Sequence, residues 1–538
     1  MCGIIFACRP LASWNEPSGV WLGLVRDRFR RIAHRGPDHS GEKVTPTFFI
    51  GCHRLAIVNL GVTGNQPLAH GGCVLVCNGQ IYNASCLVNS KDDLRSDVDV
   101  ILRAHVDGTF ASIDALALAL DGDFAFVLID SRHGRDVVYV GRDPVGVRPL
   151  FYGANASGRL VAFASEAKAL QGLPGVDAVA VFPPGHVYDS ESGTLRRYTD
   201  IYRKVEDGTE KTGEEKEMTF DEAADAVRAS LTAAVVKRVE NSDRPIAFLC
   251  SGGLDSSIVL SLAHAHLTSV GRERDMHAFS VQFGEDSADA MYAGMLCQRL
   301  GVRHTVVSFD WGDVERNLFG ITRQIESFDP CSVRTAVPAF LLAKFIRTQT
   351  DYKVILSGEG ADEVFMGYTA FARAPDGTVA NTESARIVRD LHMFDMLRAD
   401  RCFAAWGLEL RVPFLDIDVL RTAFAIPGRH RMFQNGVEKA LLRHAFRDDQ
   451  DLVAARVLDR QKERFSDGCG FGYVPALLTR LAPPNTFDLA AKEASERWVY
   501  RTWFDACYPG FHDLIGGRLT SEASAAATQE GGFLGEST

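Results

Sequence analysis

The chain has 538 residues, with 58 Lys and Arg against 69 Asp and Glu, a formal charge of −11; 46% of it is hydrophobic and 24% charged. That length allows roughly two to four domains, each with its own core. The acidic balance excludes non-specific binding to nucleic acid or to an anionic membrane, both of which need a basic face. No apolar run approaches the ~20 residues of a membrane span, and Arg9-Pro10 interrupts the N-terminus too soon for a secretory signal. The twelve cysteines have no framework spacing. They read as buried free thiols of a reducing compartment, with the cytoplasm as the expected location.

From residue 2 to about 203, short β-type runs alternate with Gly, Pro and Asn turns. Examples are Phe48–Ile50, Val74–Cys77, Asp123–Ile129 and Val137–Val140, the last two joined through His133-Gly134. The runs are apolar throughout more often than alternating, which predicts sheets covered on both faces. Residues 205–218 are polar and unpatterned and read as a linker. Thr219 with Glu222 makes a capping-box signature before a helix whose Ala224, Val227, Leu231, Ala234 and Val235 recur at helical spacing. Strands and helices then alternate: Pro245–Cys250, a helix over about 256–266, His277–Phe283, a helix over 287–300, then Lys353–Leu356. That alternation predicts a parallel sheet with ligands at the strand C-terminal ends. Residues 385–446 read as mainly helical, and 516–538, rich in Ala, Ser, Gly and Glu from Ser521, is expected to be disordered.

Removal of Met1 is expected before a residue as small as Cys2, which would then carry a thiol and an α-amine together. Such an amine titrates near ~8, low enough to act as general base for its own side chain. Gly3-Ile4-Ile5-Phe6 reads as a strand burying this end, His34-Arg35-Gly36-Pro37-Asp38 as a tight loop, and His53-Arg54-Leu55 as a strand end. Asn78-Gly79 is expected at a strand-to-turn junction, where an amide side chain and a backbone N–H can point at a developing oxyanion. Ser96-Asp97 adds a carboxylate. Each of these alone is an ordinary turn residue.

Together they resemble the class II glutamine amidotransferase domain, an N-terminal-nucleophile hydrolase, over about residues 2–204. The resemblance includes Phe182-Pro183-Pro184-Gly185. It implies a four-layer αββα fold, Cys2 as nucleophile, Arg54 on the glutamine α-carboxylate, Asp97 on its α-ammonium, and Asn78 with Gly79 as oxyanion hole. Relatives carry Asn-Gly-Glu where this chain has Asn78-Gly79-Gln80. The neutral Gln80 is expected to retain glutamine binding but weaken it.

The buried run Ile246–Cys250 leads directly into Ser251-Gly252-Gly253-Leu254-Asp255-Ser256-Ser257 and an apolar helix. Two glycines admit an anion to the backbone, the serines donate, and the helix N-terminus adds a favourable dipole. No Gly-Lys-Ser/Thr follows, so this is not the Walker loop; it resembles the loop of enzymes that split ATP between the α and β phosphates. Val354-Ile355-Leu356 runs into Ser357-Gly358-Glu359-Gly360-Ala361-Asp362-Glu363, an acidic strand end suited to Mg²⁺.

Arg398-Ala399-Asp400, Ala404–Glu409, Arg411-Val412-Pro413-Phe414-Leu415-Asp416 and Arg460–Gly468 extend the resemblance to glutamine-hydrolysing asparagine synthetases. The resemblance implies two domains of α/β and α+β type, with a parallel-sheet ATP-pyrophosphatase fold over residues 219–515. It implies that Asp255 and Asp362 bind Mg²⁺, and that Leu249, Ser251, Gly252, Gly253, Asp255, Ser256, Val281, Ser357 and Gly358 meet ATP. Lys462 would stabilise charge on the phosphoryl or acyl-adenylate, and Glu359 would lie near the aspartate or the ammonia, with Asp395 and Arg398 in the same wall. Arg334 is the arginine implicated in pyrophosphate and intermediate binding, although Cys331 and Val337 depart from the hydroxyl-rich pattern of relatives. The implied partners are glutamine, aspartate and ATP, with no nucleic acid and no membrane; a homodimer is left open.

The implied reaction joins the aspartate β-carboxylate to AMP, releases pyrophosphate, and lets ammonia displace AMP. Ammonia made within the protein and passed through a dry passage stays unprotonated and reactive. Two other readings stay open: amidation of a different carboxylate, including intramolecular closure as in β-lactam synthetases, and a silent paralogue serving as a glutamine sensor or scaffold. Cys2, Arg54 and Asp97 speak against closure, and Cys2, Asp255, Asp362 and Lys462 against silence.

Overall fold

A computed structural model describes residues 1–10, 18–88, 94–202, 218–284, 287–447, 458, 460, 475–481 and 492–511. Two compact units divide the chain. One holds Met1–Asp200 with Asn241–Arg244 and Phe403–Glu409; the other holds Ile201–Glu240, Pro245–Cys402 and Leu410–Thr538.

The strands of the first unit are β1 (Gly3–Cys8), β2 (His39–Val44), β3 (Phe48–Arg54), β4 (Leu68–His70), β5 (Cys73–Ile81) and β6 (Gly122–Asp130). They continue with β7 (Val137–Arg142), β8 (Phe151–Ala154), β9 (Leu160–Ala164), β10 (Ala178–Val181), β11 (His186–Asp189) and β12 (Thr194–Arg197). Two six-stranded sheets result, ordered β10-β8-β9-β1-β3-β2 and β12-β11-β7-β6-β5-β4. Their pairings are antiparallel.

One apolar layer lies between the sheets and joins Cys2, Ile4, Phe6, Ile50 and Cys52 to Val74, Val76, Val127 and Val140. The second sheet turns Leu75, Cys77, Phe124 and Phe126 the other way, onto α2 (Asp99–Val106) and α3 (Ile113–Ala119). On the outer face of the first sheet, Phe29 of α1 (Ser18–Arg30) packs its ring edge-on to Phe49 and stacks on His53. The layers are therefore α, β, β, α, and apolar residues on both faces of a strand follow from having cover on both sides. The strands run longer than their apolar cores suggest: β3 extends to Arg54, and β5 to Ile81.

The distant segments are held locally. Asp243 N–H donates to Ile57 O at 3.1 Å, Asn59 N–H to Asp243 Oδ2 at 2.7 Å, and Arg244 Nε to Ala56 O at 2.9 Å. Gly407, at φ +62, has no room for a Cβ, which would meet Pro37 Cδ at 2.9 Å.

The second unit opens with α4 (Phe220–Glu240). Thr219 N–H donates to Glu222 Oε2 at 2.8 Å and Glu222 N–H to Thr219 Oγ1 at 3.2 Å, a reciprocal cap. Ala224, Val227, Leu231, Ala234 and Val235 are all buried, as their spacing predicts. The five-stranded sheet runs β15 (Arg303–Phe309), β14 (Met276–Phe283), β13 (Ile246–Leu249), β16 (Val354–Leu356), β17 (Glu409–Arg411). The first four strands pair in parallel. Between them come α5 (Leu254–Ser269), α6 (Ala288–Leu300), α7 (Trp311–Ile325) and α8 (Pro330–Gln349). The helix expected over 256–266 starts two residues earlier because the glycine loop feeds straight into it, and β17 interrupts the helices of 385–446. The disorder expected for 516–538 falls outside the described residues.

Candidate active sites

In the first unit, β1 carries Cys2 at its start, 8% exposed, in the layer between the sheets. Alternation along β5 sends Val74 and Val76 into that layer, and with the same period Asn78 and Gln80 share their face. Asn78 is fully buried and neither atom of its amide has a hydrogen-bond partner. A buried unpaired amide is costly, and it supplies the donor an oxyanion would need. Gln80 Oε1 is unpartnered as well. The strand-to-turn junction expected at Asn78-Gly79 is corrected: both are mid-strand, opposite Ala125 and Phe124, because the β5–β6 ladder continues to Ile81. Gly79 is required by close approach, since a Cβ there would sit 2.3 Å from Asp123 O.

Arg54 binds its own loop. Nη1 donates to Gly61 O at 2.9 Å and to Asn65 Oδ1 at 2.8 Å, and Nη2 donates to the carbonyls of Val58 and Asn59. Asp97 Oδ2 accepts from Ile81 N–H at 2.8 Å. Both residues therefore shape the loops around the β5 face.

The buried end is set by the His34-Arg35 loop together with Ser165, Glu166 and Lys168, which the sequence did not single out. Arg35, fully buried, donates through Nε to Cys2 O at 3.0 Å and through Nη1 to Glu166 Oε1 at 2.8 Å. Glu166 also meets Lys168 at 2.5 Å and His34 at 3.1 Å. Ile4 N–H donates to Ser165 Oγ at 3.0 Å. The Met1 amine lies 3.7 Å from Glu409 Oε2, and burial lowers its pKa to about 6. The Cys2 thiol is lowered to about 6, chiefly by a hydrogen bond from Cys52, against burial, with help from the nearby amine charge. Cys73, His105 and Asp130 also gather in this unit. Arg132 already grips the Asp130 carboxylate, with Nε at 3.0 Å from Oδ1 and Nη2 at 2.6 Å from Oδ2, so the group reads as an internal ion cluster.

In the second unit, β13 ends at Leu249, Cys250 follows, and Ser251-Gly252-Gly253 turns into α5. Gly252 takes φ +69 and lies so close to α6 that a Cβ would sit 2.5 Å from Ala293 N. Ser251 and Ser256 bridge the loop, Oγ to Oγ at 3.2 Å, and Gly253 N–H donates to Ser251 Oγ at 3.3 Å. Val281, on β14, is buried beside this strand end.

The loop after β16 packs on the first: a Cβ on Gly358 would sit 2.9 Å from Ser256 N. Ser357 N–H donates to Arg411 O at 3.0 Å, and Glu359 N–H to Ser357 Oγ at 3.3 Å. Asp255 and Asp362 converge on one point, because Lys439 Nζ lies 2.5 Å from an oxygen of each. Burial alone would lower the lysine pKa, but the two carboxylates outweigh it and hold it above its usual range. Gly367 leaves space for this triad, since a Cβ there would meet Asp362 Oδ1 at 2.1 Å and Lys439 Cε at 2.2 Å. An ammonium between two hard oxygen donors marks the place of a cation, so the residues present fit Mg²⁺.

Glu359 pairs with Arg398, and Arg398 lies 3.6 Å from Asp395, so these three do form one wall. Arg334 is gripped by Glu496, Nε at 3.1 Å from both carboxylate oxygens, and Tyr500 donates to Glu496 at 2.9 Å. Arg460 donates to Ser251 O at 3.1 Å and Asp289 Oδ1 at 2.5 Å, tying its segment to the glycine loop. Lys462, with the remainder of 461–468, lies outside the described residues. Lys439 and Glu496 carry no motif of their own in the sequence.

Two layered sheets around a buried N-terminal thiol, followed by a parallel sheet with a glycine–serine loop and paired carboxylates, define a two-domain amidotransferase–synthetase. A family model described as glutamine amidotransferase domain matches residues 1–199, and one described as asparagine synthase matches 226–382 and 376–528. The chain is 33% identical over 539 residues to glutamine-hydrolysing asparagine synthetase 3 of Arabidopsis thaliana, covering 95% of this chain and 88% of that protein. It is 32% identical over 562 residues to glutamine-hydrolysing asparagine synthetase 1 of Saccharomyces cerevisiae, covering 95% and 94%. The chain belongs to the glutamine-hydrolysing asparagine synthetase family.

Proposed function

We propose that this chain makes asparagine from aspartate, with ATP as activator and glutamine as nitrogen donor. The observation that carries the reading is the convergence of Asp255 and Asp362 at a glycine–serine loop, in a chain that also buries Cys2 and an unpartnered Asn78 amide.

At the first site the Cys2 sulfur attacks the glutamine amide carbon. Asn78 Nδ2 and the Gly79 N–H are the donors assigned to the developing oxyanion, a role worth several kcal/mol in such sites. Ammonia leaves as the C–N bond breaks, and water cleaves the glutamyl thioester to glutamate. Arg54 and Asp97 are assigned to the α-carboxylate and α-ammonium; Arg54 would have to exchange a loop carbonyl for the substrate. Gln80, neutral and with its Oε1 unpartnered, can meet the substrate by hydrogen bonding alone.

At the second site Leu249, Ser251, Gly252, Gly253, Ser256, Val281, Ser357 and Gly358 are assigned to ATP. Mg²⁺ held by Asp255 and Asp362 would neutralise phosphate charge. The aspartate β-carboxylate attacks the α-phosphate, pyrophosphate leaves, and ammonia then displaces AMP from the β-aspartyl-AMP carbonyl. Glu359 is assigned to the aspartate ammonium or the incoming ammonia, and Arg334 and Lys462 to the negative charge of the intermediate. The reading places the enzyme in the cytoplasm, and all eleven described cysteines are free thiols.

Purified enzyme supplied with glutamine, aspartate and Mg-ATP should yield asparagine, glutamate, AMP and pyrophosphate in equal amounts. Adenylation of some other acid only, or the absence of ATP turnover, would overturn the assignment.

A further inference from the structure

Arg54 ends β3 and Asp97 precedes α2, and one side chain between them joins the two segments. The Arg54 guanidinium turns into the loop that follows it, where Nη2 donates to Asn59 O and a Cβ on Gly64 would collide with it. Asn59 takes φ 54, in the left-handed region that Asn enters more readily than most residues. Its N–H donates to Asp243 Oδ2 at 2.7 Å, and its Oδ1 accepts from Gly61 N–H at 3.0 Å. Nδ2 donates to Thr63 Oγ1 at 2.8 Å and, across to the other segment, to Arg95 O at 2.6 Å. The Gly61 donor and the Arg95 acceptor fix which way the amide points. Arg95 is itself anchored: Nε lies 3.0 Å from Asp99 Oδ2 and Nη2 2.6 Å from Oδ1, with Asp99 fully buried at the start of α2. Two residues beyond Arg95, the Asp97 carboxylate accepts from Ile81 N–H.

We propose that Asn59 is a positioning residue for glutamine: its amide ties the Arg54 loop to the Arg95–Asp97 segment and so sets the separation of the Arg54 guanidinium and the Asp97 carboxylate. This rests on Arg54 and Asp97 being the groups that hold glutamine. Either charge alone would accept many small acids or amines. Two opposite charges held at one spacing select a ligand that carries an α-carboxylate and an α-ammonium together. Both α groups are remote from the amide carbon that reacts, so the bridge serves ground state and transition state alike. Its loss therefore belongs in KM and not in kcat.

The test uses the full-length enzyme and three variants, Asn59→Gly, Thr63→Ala and Arg54→Ala. Glycine takes the same φ freely and keeps the backbone N–H and carbonyl, so the side-chain amide is what is lost. In Asn59→Gly the KM for glutamine should rise roughly tenfold, with kcat within about twofold of the parent. A diazoketone analogue of glutamine, which keeps both α groups, should need a matching rise in concentration to inactivate the variant. Iodoacetamide, which has neither group, should alkylate Cys2 at the parent rate. Thr63→Ala removes a contact inside the loop, leaves the bridge to Arg95 and should keep the parent KM. Melting temperature and ammonia-dependent asparagine synthesis certify that each variant is folded. If Asn59→Gly is not, Asn59→Asp, which keeps the acceptor for Gly61 and loses the donor, takes its place. An unchanged glutamine KM without the bridge, a loss confined to kcat, slowed iodoacetamide alkylation, or an equal KM rise in Thr63→Ala overturns the proposal. Arg54→Ala with the parent's KM for glutamine would instead sink the binding assignment beneath it.

Discussion

Arg398 Nη2 donates to Glu359 Oε1 over 3.0 Å, and the arginine is only 5% exposed. The pair sets a buried positive charge against a carboxylate of the loop that follows β16. Glu359→Gln keeps an acceptor for Arg398 but leaves Asp395, at 3.6 Å, as its remaining carboxylate partner. Removing one member of a buried pair costs about 3–5 kcal/mol when nothing replaces it, and Asp395 puts the expected loss at the low end. Asparagine synthesis should fall with glutamine and with ammonia alike while glutamine hydrolysis persists. Thermal denaturation and AMP release check both halves.

Cys2→Ala should abolish glutamine-dependent synthesis and leave synthesis from added ammonia near the parent rate. The alanine fits where the thiol sat, and Arg35 still holds the residue through its backbone carbonyl. Ammonia-dependent rates measured across a range of pH decide it; loss of both activities would mean that the substitution disturbs more than the sulfur.

Lys439→Met should expose the Asp255–Asp362 repulsion. Lys439 Nζ is the cation each carboxylate meets at 2.5 Å, and like charges brought together without it destabilise the fold. Without divalent ion the variant should melt below the parent, and added Mg²⁺ should raise its melting temperature more than the parent's. Equal Mg²⁺ shifts in the two proteins would contradict this. Asp255→Asn and Asp362→Asn should each lose synthesis from either nitrogen source while hydrolysing glutamine normally.

His277 gives a pH dependence of known sign. It is buried on β14, donor or acceptor to Thr305 Oγ1 at 2.8 Å, with its ring 4.0 Å from that of Phe279. Burial first, then the Arg303 and His304 charges, lower its pKa to about 4. A folded pKa below the unfolded one means stability that is complete above about pH 6.5 and is lost as pH falls toward 4, at most about 3 kcal/mol. His277→Gln should flatten that part of the curve, measured as urea midpoints at pH 7, 5 and 4.

Local physics made the scaffold legible. The Thr219–Glu222 cap and the buried stripe of α4 depend on residues within a few turns of one another, and both stand as the spacing predicts. The glycine–serine loop was readable for the same reason: strand, turn and helix are contiguous. Sequence reading failed where partners come from far away. Lys439 reaches Asp255 across 184 residues, and Glu496 reaches Arg334 across 162. No periodicity encodes such meetings. Asn-Gly favours turns locally, but the ladder to β6 overrides that preference and sets Asn78 mid-strand.

The short segments Asn241–Arg244 and Phe403–Glu409 belong to the unit otherwise made by Met1–Asp200. A gene fragment stopping at residue 204 would thus encode both antiparallel sheets and still omit the acidic neighbour of the amino terminus and the plug against Pro37. The unit that holds Cys2 is therefore no contiguous cassette: excised alone, its first 204 residues would lack the stretches at 241–244 and 403–409 that complete it.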